Sequence, residues 1–340
     1  MVYLADSYYP YDVAVIGAGS WGTALAMQLL RVEQKVVLWA RDVDHLSSIE
    51  LHLENRRYLP GLAIPSKLAT EPDIKSAVSS AQHILLACPS HALADTLRTI
   101  KPLIEASVGV IWACKGFEPG SGRLLHVMAR EIMGPERDLA VITGPSFAKE
   151  VALDLPTAVT VAASTEAFGE RVAALLHGGS FRAYYTADMV GAELGGAAKN
   201  VMAIATGICD GMDLGANERA GLITRGLGEM MRIGYAMGAR QETLIGLAGM
   251  GDLVLTCTGN LSRNRQLGLS LGKGLSTQVA MDSIGQVVEG YKAALEVNRL
   301  RKKYQLDLPI CEQIHGILYS DWNPQKSLRV LLKRELKKEY

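Results

Sequence analysis

Cysteine is scarce in this chain, and its spacing excludes several kinds of site. The 5 cysteines, Cys88, Cys114, Cys209, Cys257 and Cys311, are scattered and form no CxxC pair. This usage predicts no disulfide framework and is typical of a reducing compartment. None of the 7 histidines joins the cysteines at metal-ligand spacing, so we expect no metal site.

An excess of one charge and long apolar runs are also lacking. Lys plus Arg and Asp plus Glu each number 35, so the formal net charge is +0 and no global field selects nucleic acid or a membrane surface. No run approaches the ~18 apolar residues that span a bilayer. Residues 1–11 lack the basic start and apolar segment of a signal peptide. We therefore expect a cytoplasmic protein with no nucleic-acid partner and no stable membrane insertion.

The basic C-terminal segment, residues 326–340, leaves two alternatives open. Leu328, Leu331, Leu332 and Leu336 alternate there with lysines and arginines. A single apolar stripe is typical of a helix docked on the protein surface. A basic amphipathic segment is also able to contact an anionic membrane.

Residues 12–26, DVAVIGAGSWGTALA, contain a glycine turn between a strand pattern and a helical pattern. The apolar run at 13–16 indicates a buried parallel strand. Gly17 allows the tight turn, Gly19 lets backbone approach a pyrophosphate, and Gly22 lets the helix pack closely on the strand. Phosphates would then face the N–H groups that begin the helix. This context predicts a dinucleotide site, and a glycine turn in another kind of α/β protein is the alternative.

The end of the second predicted strand, residues 35–39, bears on the choice of cofactor. Arg41 and Asp42 lie at this strand end, roughly twenty residues downstream of the glycine turn. Dinucleotide folds recognise the adenosine ribose at this distance. An acidic residue favours the 2′-hydroxyl of NAD, and an arginine suits the 2′-phosphate of NADP. We interpret the pair as tolerance of both cofactors with a preference for NADP. The alternative is that Arg41 is a solvated charge at a strand end.

Further strands alternate with helices along the first half of the chain. The predicted strands cover residues 82–88, 108–114 and 139–143, with 157–163 and 181–186 as extensions. One of the intervening helices is predicted over 91–104. The alternation predicts a doubly wound, mostly parallel, Rossmann-like sheet. Because ligands bind beyond the carboxyl ends of such strands, we expect the loops at Pro89, Lys115 and Gly144 beside the cofactor.

Lys115, Gly144 and Ser146 follow two of these strands and suit an anionic ligand. Lys115 carries a fixed positive charge, while Gly144 and Ser146 offer backbone and hydroxyl donors. A solvated loop lysine and a Pro-Ser helix start explain the same residues equally well.

Helical patterns dominate beyond Asp188, which predicts an all-α C-terminal domain. We expect a dinucleotide-binding domain at 1–190 and a substrate-binding domain at 191–340. Residues 189–211 are rich in glycine and alanine and carry Lys199. Tight apolar packing removes water from a lysine and lowers its pKa toward neutrality, which suits a proton donor. A structural lysine at a helix end is the alternative.

Asp252 lies in the next informative segment, residues 246–264. Its neighbours Gly251 and Leu253 argue against simple exposure. A buried carboxylate needs a partner, and Lys199 is the candidate. An acid beside that lysine would hold the ammonium in place and partly reverse the effect of its desolvation.

A second polar set opens the helix that follows. Ser262, Arg263 and Asn264 supply a hydroxyl, a guanidinium and an amide, which together suit a phosphate monoester. A plain N-cap explains Ser262 equally well, and Arg265 is equally consistent with a surface charge. Glu289, in the segment GQVVEG, either bonds a ligand or complements a helix dipole.

These motifs together resemble the bacterial type of NAD(P)-dependent glycerol-3-phosphate dehydrogenase over nearly the full chain. The matching segments, in order, are GAGSWGTALA, NRRYLPG, ACKGFE, TGPSFAKEV, GGAAKNVMAIATGICDGMDLGAN, AGMGDLVLTCTGNLSRN and GQVVEG. Any one segment has little specificity, but seven in register are highly specific. The resemblance implies the two-domain plan of that family, a dinucleotide fold followed by an all-helical domain.

The resemblance also implies roles for individual residues. Lys199 is similar to the catalytic lysine of the family, with Asp252 beside it. The implied substrate contacts are Lys115, Gly144, Ser146, Lys199, Asn200, Asp252, Thr256, Ser262, Arg263 and Asn264. The implied cofactor contacts, besides the glycines Gly17, Gly19 and Gly22, are Ser20, Trp21, Arg41, Lys115, Ala148, Arg263, Val287 and Glu289. The sequence departs from the family pattern at Ala198, Cys88 and Cys114. These departures affect the expected local packing and not the expected activity.

The implied reaction is the reversible reduction of dihydroxyacetone phosphate to sn-glycerol 3-phosphate. The resemblance implies NADP or NAD as cofactor, a place in glycerophospholipid synthesis, and a homodimer. Two other hypotheses stay open: an oxidoreductase for another hydroxy acid or sugar derivative, and a non-catalytic redox sensor that binds a dinucleotide and a protein partner. Lys199, Asp252 and Arg263 argue against the sensor, because it needs neither a proton donor nor a phosphate fork.

Overall fold

The apolar runs in the first half of the chain form one eight-stranded sheet. Its strands are β1 (Tyr11–Ile16), β2 (Val36–Trp39), β3 (Ala69–Thr70), β4 (Ala81–Leu86), β5 (Gly109–Trp112), β6 (Leu139–Thr143), β7 (Thr157–Ala163) and β8 (Phe181–Thr186). Their order is β3-β2-β1-β4-β5-β6-β7-β8. The pairs β1–β2, β1–β4, β2–β3, β4–β5, β5–β6 and β7–β8 are parallel. The predicted doubly wound, mostly parallel sheet is confirmed.

The computed structural model of the protein describes residues 9–332, which divide into two compact units. The sheet unit comprises the described residues up to 114 together with 126–142 and 146–189. The helical unit comprises residues 115–125, 143–145 and the described residues from 190 onward. The two domains predicted from the sequence are consecutive blocks, whereas the helical unit also takes these two short segments from earlier in the chain.

Helices connect and cover the strands. They are α1 (Ser20–Arg31), α2 (Val43–His52), α3 (Ile74–Ser79), α4 (Leu93–Ile100), α5 (Leu125–Met133), α6 (Ala148–Ala152) and α7 (Glu166–Leu176). The predicted helix at 91–104 is too long, because α4 is flanked by 3-10 turns at Ser90–Ala92 and Lys101–Leu103. Pro102 explains the end of α4, since proline has no backbone N–H to continue the helical hydrogen bonds.

The remainder of the described chain is helical, as the sequence predicts. Its helices are α8 (Met189–Gly211), α9 (Gly215–Met237), α10 (Gln241–Ile245), α11 (Asp252–Thr258), α12 (Arg263–Gly272), α13 (Thr277–Ile284), α14 (Glu289–Tyr304), α15 (Pro309–Tyr319) and α16 (Pro324–Leu332). A π-helical turn, Leu247–Gly251, precedes α11. Small residues bring α8 and α12 together, because a Cβ on Gly207 would collide with the carbonyl oxygen of Arg265. Close helix packing is what the composition of residues 189–211 predicts.

Helix α16 covers the beginning of the basic C-terminal segment. Leu328 and Leu331 on this helix are buried, which supports the docked-helix alternative for this part of the segment. Leu336 and leader residues 1–8 lie outside the described residues. Within residues 9–332, no helix taken singly has the length and apolar character to cross a bilayer, although one bent pair, Gln241–Thr258 with Arg263–Gly272, meets that test by length and composition.

Candidate active site

The glycine turn of the sheet unit has the geometry that its three glycines predict. Gly17 has a φ of +124°, a conformation that favours glycine, and a Cβ there would lie 2.9 Å from the carbonyl oxygen of Ala87. A Cβ on Gly22 would collide with the carbonyl oxygen of Gly17, so α1 packs directly on the turn. A Cβ on Gly19 would meet nothing within 4 Å. The turn is therefore closed on its inner side and open at Gly19.

The start of α1 offers donors to an anionic group at this opening. Gly19 is the N-cap of α1 and Ser20 is its first residue, so the backbone N–H groups and the positive end of the helix lie here. Trp21 is half-buried, and its buried Nε1–H has no hydrogen-bond partner within residues 9–332. Open space at Gly19 and an unpaired donor nearby in sequence fit a dinucleotide with its phosphates.

Arg41 and Asp42 differ in what they already contact. Asp42 caps α2 by accepting the His45 N–H at 3.0 Å, and it forms an ion pair with Arg57 at 3.1 Å. Arg41 is exposed, and its side chain makes no hydrogen bond or ion pair with another residue in the range 9–332. Arg41 is therefore available to a 2′-phosphate, while Asp42 is engaged. The sequence did not identify Arg57 as the ion-pair partner of Asp42, although Arg57 lies in the NRRYLPG segment.

Two other predicted contacts belong to the sheet unit. Ser146 is half-buried before α6, and Ala148 is the first residue of that helix. Phe147 is the N-cap of α6, and its side chain makes no capping hydrogen bond. The Phe147 carbonyl oxygen accepts the Glu150 N–H at 3.0 Å and the Val151 N–H at 3.1 Å, which closes the first turn of this short helix.

A buried ionic cluster lies in the helical unit and joins residues far apart in sequence. Lys199 lies inside α8 and Asp252 begins α11, and they are 5% and 1% exposed. Lys199 Nζ donates to Asp252 Oδ1. Lys115 Nζ donates to Asp252 Oδ2 at 2.7 Å and to the Gly144 carbonyl oxygen at 2.9 Å. The predicted pairing of Asp252 with Lys199 is present, and Lys115 is a second ammonium on the same carboxylate.

The electrostatics of the cluster favour a lysine that titrates near neutrality. Burial lowers the pKa of Lys199 from 10.5 to about 7. The negative charge of Asp252 acts in the opposite direction, and the positive charge of Lys115 lowers the pKa further. A pKa of about 7 leaves both protonation states of Lys199 populated at neutral pH, and a lowered pKa is what the sequence predicts for a lysine inside this helix.

Missing side chains on α8 make room for the cluster. A Cβ on Gly195 would collide with the carbonyl oxygen of Ala248, in the π-helical turn before Asp252. A Cβ on Gly196 would lie 2.8 Å from Thr143 Oγ1 and 3.4 Å from Lys115 Cγ. Glycine at both positions thus lets α8 approach the segments that carry the other two charged groups.

Thr256 hydrogen-bonds to Asp252 chiefly through the backbone. Its Oγ1 donates to the Asp252 carbonyl oxygen at 2.6 Å and lies 3.5 Å from Oδ1. This is the usual bond of a threonine to the carbonyl four residues earlier in a helix. Thr256 therefore fixes the start of α11, on which the Asp252 side chain is carried.

The predicted phosphate-binding set is joined by amide hydrogen bonds. Asn264 Nδ2 donates to Asn200 Oδ1 at 2.8 Å, and Asn264 Oδ1 accepts the Gly290 N–H at 2.9 Å. Arg263 is exposed as a residue, its Nη1 donates to Gln286 Oε1 at 3.4 Å, and partial desolvation of the guanidinium lowers its pKa. Ser262 accepts the Arg265 N–H at 3.2 Å, which is the plain N-cap alternative. These contacts link α8, α12 and the start of α14.

Three further residues complete this part of the helical unit. Val287 is 42% exposed, and Glu289 is half-buried as the first residue of α14, where it complements the helix dipole. The reading of Arg265 as a surface charge is wrong. Arg265 is 8% exposed because its guanidinium donates to Asp210 at 2.6 Å and 3.0 Å. Arg265 and Asp210 form a structural ion pair between α12 and α8.

The fold and these two sites define a class of protein in which a dinucleotide fold is joined to a helical unit with a buried lysine. Comparisons with known proteins narrow this class. The profile of the NAD-dependent glycerol-3-phosphate dehydrogenase N-terminus matches residues 12–169, and that of the C-terminus matches residues 188–329. The chain therefore belongs to the NAD-dependent glycerol-3-phosphate dehydrogenase family.

Individual relatives agree with the family assignment. Glycerol-3-phosphate dehydrogenase (NAD(P)+) of Stenotrophomonas maltophilia is 56% identical over 328 residues, 96% of each chain. The enzyme of the same name from Xanthomonas euvesicatoria is 56% identical over 334 residues, 98% of each chain. The crystal structure of glycerol-3-phosphate dehydrogenase from Coxiella burnetii is 45% identical, with a TM-score of 0.92, and the match covers 96% of this chain and 100% of that one.

Proposed function

We propose that the protein is an NAD(P)-dependent sn-glycerol-3-phosphate dehydrogenase that reduces dihydroxyacetone phosphate reversibly to sn-glycerol 3-phosphate. The observation that carries the proposal is the buried Lys199 amine beside Asp252, with its pKa lowered to about 7, in a chain of this family. A ketone reduction needs such a group, because the carbonyl oxygen must receive a proton as the carbon receives hydride.

Lys199 is the acid in the proposed reduction. The reduced dinucleotide, when bound, supplies the hydride. As the new C–H bond forms at the carbonyl carbon, the π electron pair moves to the oxygen, where the Lys199 ammonium stabilises the charge and then donates its proton. In the reverse direction the neutral Lys199 amine takes the hydroxyl proton. A pKa of about 7 leaves both forms of the amine populated at neutral pH.

Asp252 and Lys115 set the state of that acid. Asp252 Oδ1 accepts from Lys199 Nζ, which fixes the direction of the amine. Lys115 occupies Oδ2 at 2.7 Å, so the carboxylate is shared between two ammonium groups and holds each less strongly. In the proposal, Lys115, Gly144, Ser146 and Thr256 also contact the substrate.

The phosphate of the substrate is the proposed ligand of the start of α12. Arg263, the first residue of this helix, contributes a positively charged guanidinium, and the N-terminus of a helix favours an anion. Asn264, Asn200 and Ser262 surround this position in the proposal, and the hydrogen bond between the two asparagines supports their joint role. Binding energy from the phosphate would then position the ketone for reduction.

The proposed cofactor is NADP or NAD, with NADPH preferred because Arg41 is available and Asp42 is engaged. Gly17, Gly19 and Gly22 form the turn, and the proposed contacts along the dinucleotide are Ser20, Trp21, Arg41, Lys115, Ala148, Arg263, Val287 and Glu289. We further propose the division into cofactor and substrate domains at 1–190 and 191–340, a homodimer, and a cytoplasmic place in glycerophospholipid synthesis. The family membership supports these points.

A substrate panel tests the proposal. The purified protein is mixed with NADPH or NADH and, in turn, dihydroxyacetone phosphate, dihydroxyacetone, and a set of 2-keto acids, and the nicotinamide absorbance is followed. We expect oxidation of the cofactor with the phosphorylated ketone and little with the unphosphorylated one. Turnover of a keto acid in its place would favour a different oxidoreductase. Dinucleotide binding without any turnover would favour a redox sensor.

A further inference from the structure

Asn55 is a fully buried polar residue next to the glycine turn of the sheet unit. It is 0% exposed and follows α2 at the start of the NRRYLPG segment. Burying an amide is unfavourable unless its donors and acceptor are all used. The hydrogen bonds of Asn55 therefore indicate which neighbouring groups its side chain fixes in position.

The Asn55 amide holds the turn through a carbonyl group. Its Nδ2 donates to the Ala18 carbonyl oxygen at 2.9 Å and to Thr23 Oγ1 at 2.8 Å, and its Oδ1 accepts the Tyr58 N–H at 3.0 Å. His45 Nε2 lies 3.0 Å from the same Ala18 oxygen, and since a carbonyl can only accept, the imidazole donates from Nε2. The Ala18 carbonyl is thus held by two side-chain donors.

Fixing this carbonyl also fixes the next N–H. The Ala18–Gly19 peptide is trans, and in a planar trans peptide the C=O and N–H bonds point in opposite directions. With its oxygen turned toward Asn55 and His45, the peptide directs the Gly19 N–H away from them. No acceptor for this N–H is found among residues 9–332, and the space beside Gly19 is open.

We propose that Asn55, assisted by His45, is a positioning residue of the dinucleotide site. It locks the Ala18–Gly19 peptide in the orientation that presents the Gly19 N–H to the pyrophosphate. Without this lock the peptide is able to rotate and to set its carbonyl dipole against the phosphates. The inference rests on the proposed function, because it requires that the turn binds a dinucleotide.

A matched pair of variants separates positioning from ordinary packing. Asn55→Leu keeps the number and branching of the side-chain heavy atoms, removes the amide donors and the amide acceptor, and leaves the charge unchanged. Gln28→Met makes the same kind of change elsewhere on the sheet unit. Gln28 is also buried, lies on α1, and donates from Nε2 to the Leu176 carbonyl oxygen at 2.9 Å, away from the turn.

The experiment is calorimetric titration of the full-length protein and both variants with NADPH and with NADH, with a thermal melt of each. We expect Asn55→Leu to raise the Kd of both dinucleotides by ~10-fold or more, and by similar factors, because both share the pyrophosphate. Gln28→Met should lower the Tm comparably and leave each Kd within about twofold. An unchanged Kd in folded Asn55→Leu, or an equal rise in Gln28→Met, overturns the inference.

Two further cases are a variant that does not fold and a parent protein that does not bind. If Asn55→Leu does not fold, His45→Phe takes its place, because phenylalanine keeps the edge contact with the Tyr58 ring and removes the second donor. It should raise each Kd ~3-fold, since one of two donors remains, and an unchanged Kd contradicts the inference. If the unaltered protein binds neither dinucleotide, both the inference and the proposed function fail, whereas unchanged variants with a binding parent remove the inference alone.

Discussion

The sheet unit and the helical unit differ in the kind of groups that form their proposed ligand sites. In the sheet unit the groups at the opening beside Gly19 belong largely to the backbone, and glycines shape the turn. In the helical unit they are charged side chains, with Lys199 and Lys115 on one buried carboxylate. A backbone site depends on local conformation, so a single side-chain change there should weaken ligand binding less than the loss of a buried charge affects the helical unit. A buried ionic site depends on each charge, so single changes there should have large effects.

The largest effect is expected when the proposed acid, Lys199, is removed. Lys199→Ala should lower kcat for ketone reduction by ~10³-fold, because a positioned proton donor is lost, while calorimetric binding of NADPH stays close to that of the parent. Lys273→Ala, at an exposed position after α12, is the matched control and should be active. A near-normal kcat in Lys199→Ala would contradict the assigned role.

The phosphate-binding set should respond more moderately. Arg263→Ala should raise the KM for dihydroxyacetone phosphate by ~10–100-fold, because charge-assisted hydrogen bonds to the phosphate are lost. Steady-state kinetics with varied ketone measures this, and kcat should change less than KM. Arg329→Ala on α16 removes an exposed arginine from the same unit and serves as the control. An unchanged KM would remove Arg263 as the phosphate ligand.

The titration of Lys199 gives the two reaction directions opposite pH profiles. The amine is protonated below a pH of about 7, so kcat for reduction should be flat there and fall ~10-fold per pH unit above it. For oxidation of glycerol 3-phosphate, kcat should rise through the same pH, because the neutral amine is the base. Rates measured in both directions over a pH series test this. A break near 10.5, the ordinary value for lysine, would show that burial does not lower the pKa in solution.

The smallest expected effect lies at the exposed edge of the sheet unit. Arg41→Ala should raise the Kd of NADPH by ~5–10-fold and that of NADH by less than about twofold, because only NADPH carries the 2′-phosphate. Fluorescence titration with both cofactors measures the ratio. Arg98→Ala on α4 is an exposed control in the same unit. Equal losses for both cofactors would show that Arg41 is a solvated charge.

Features with a local cause could be predicted from the sequence. The glycine turn follows from Gly17 and Gly22, and the glycine- and alanine-rich segment 189–211 coincides with α8. The partner of Asp252 could also be predicted, because a carboxylate among apolar neighbours must be neutralised and Lys199 was the one lysine inside a small-residue helix. The assigned roles of the site residues stay predictions.

Features that depend on distant contacts could not be predicted. Lys115 lies 137 residues before Asp252, and nothing in its own neighbourhood indicates that it bonds a carboxylate. Asn55 has polar neighbours and has the pattern of a loop residue, and its burial follows only from the fold. The same holds for Arg265, whose partner Asp210 lies 55 residues away.

The two early segments in the helical unit have a consequence for dissecting the molecule. A fragment cut at residue 190 would retain Asp252 and Lys199 and lose Lys115, since residues 115–125 and 143–145 belong to the helical unit. Its buried carboxylate would keep one ammonium neighbour in place of two. Chimeras with a relative, circular permutants and isolated fragments must therefore carry both early segments along with the helices.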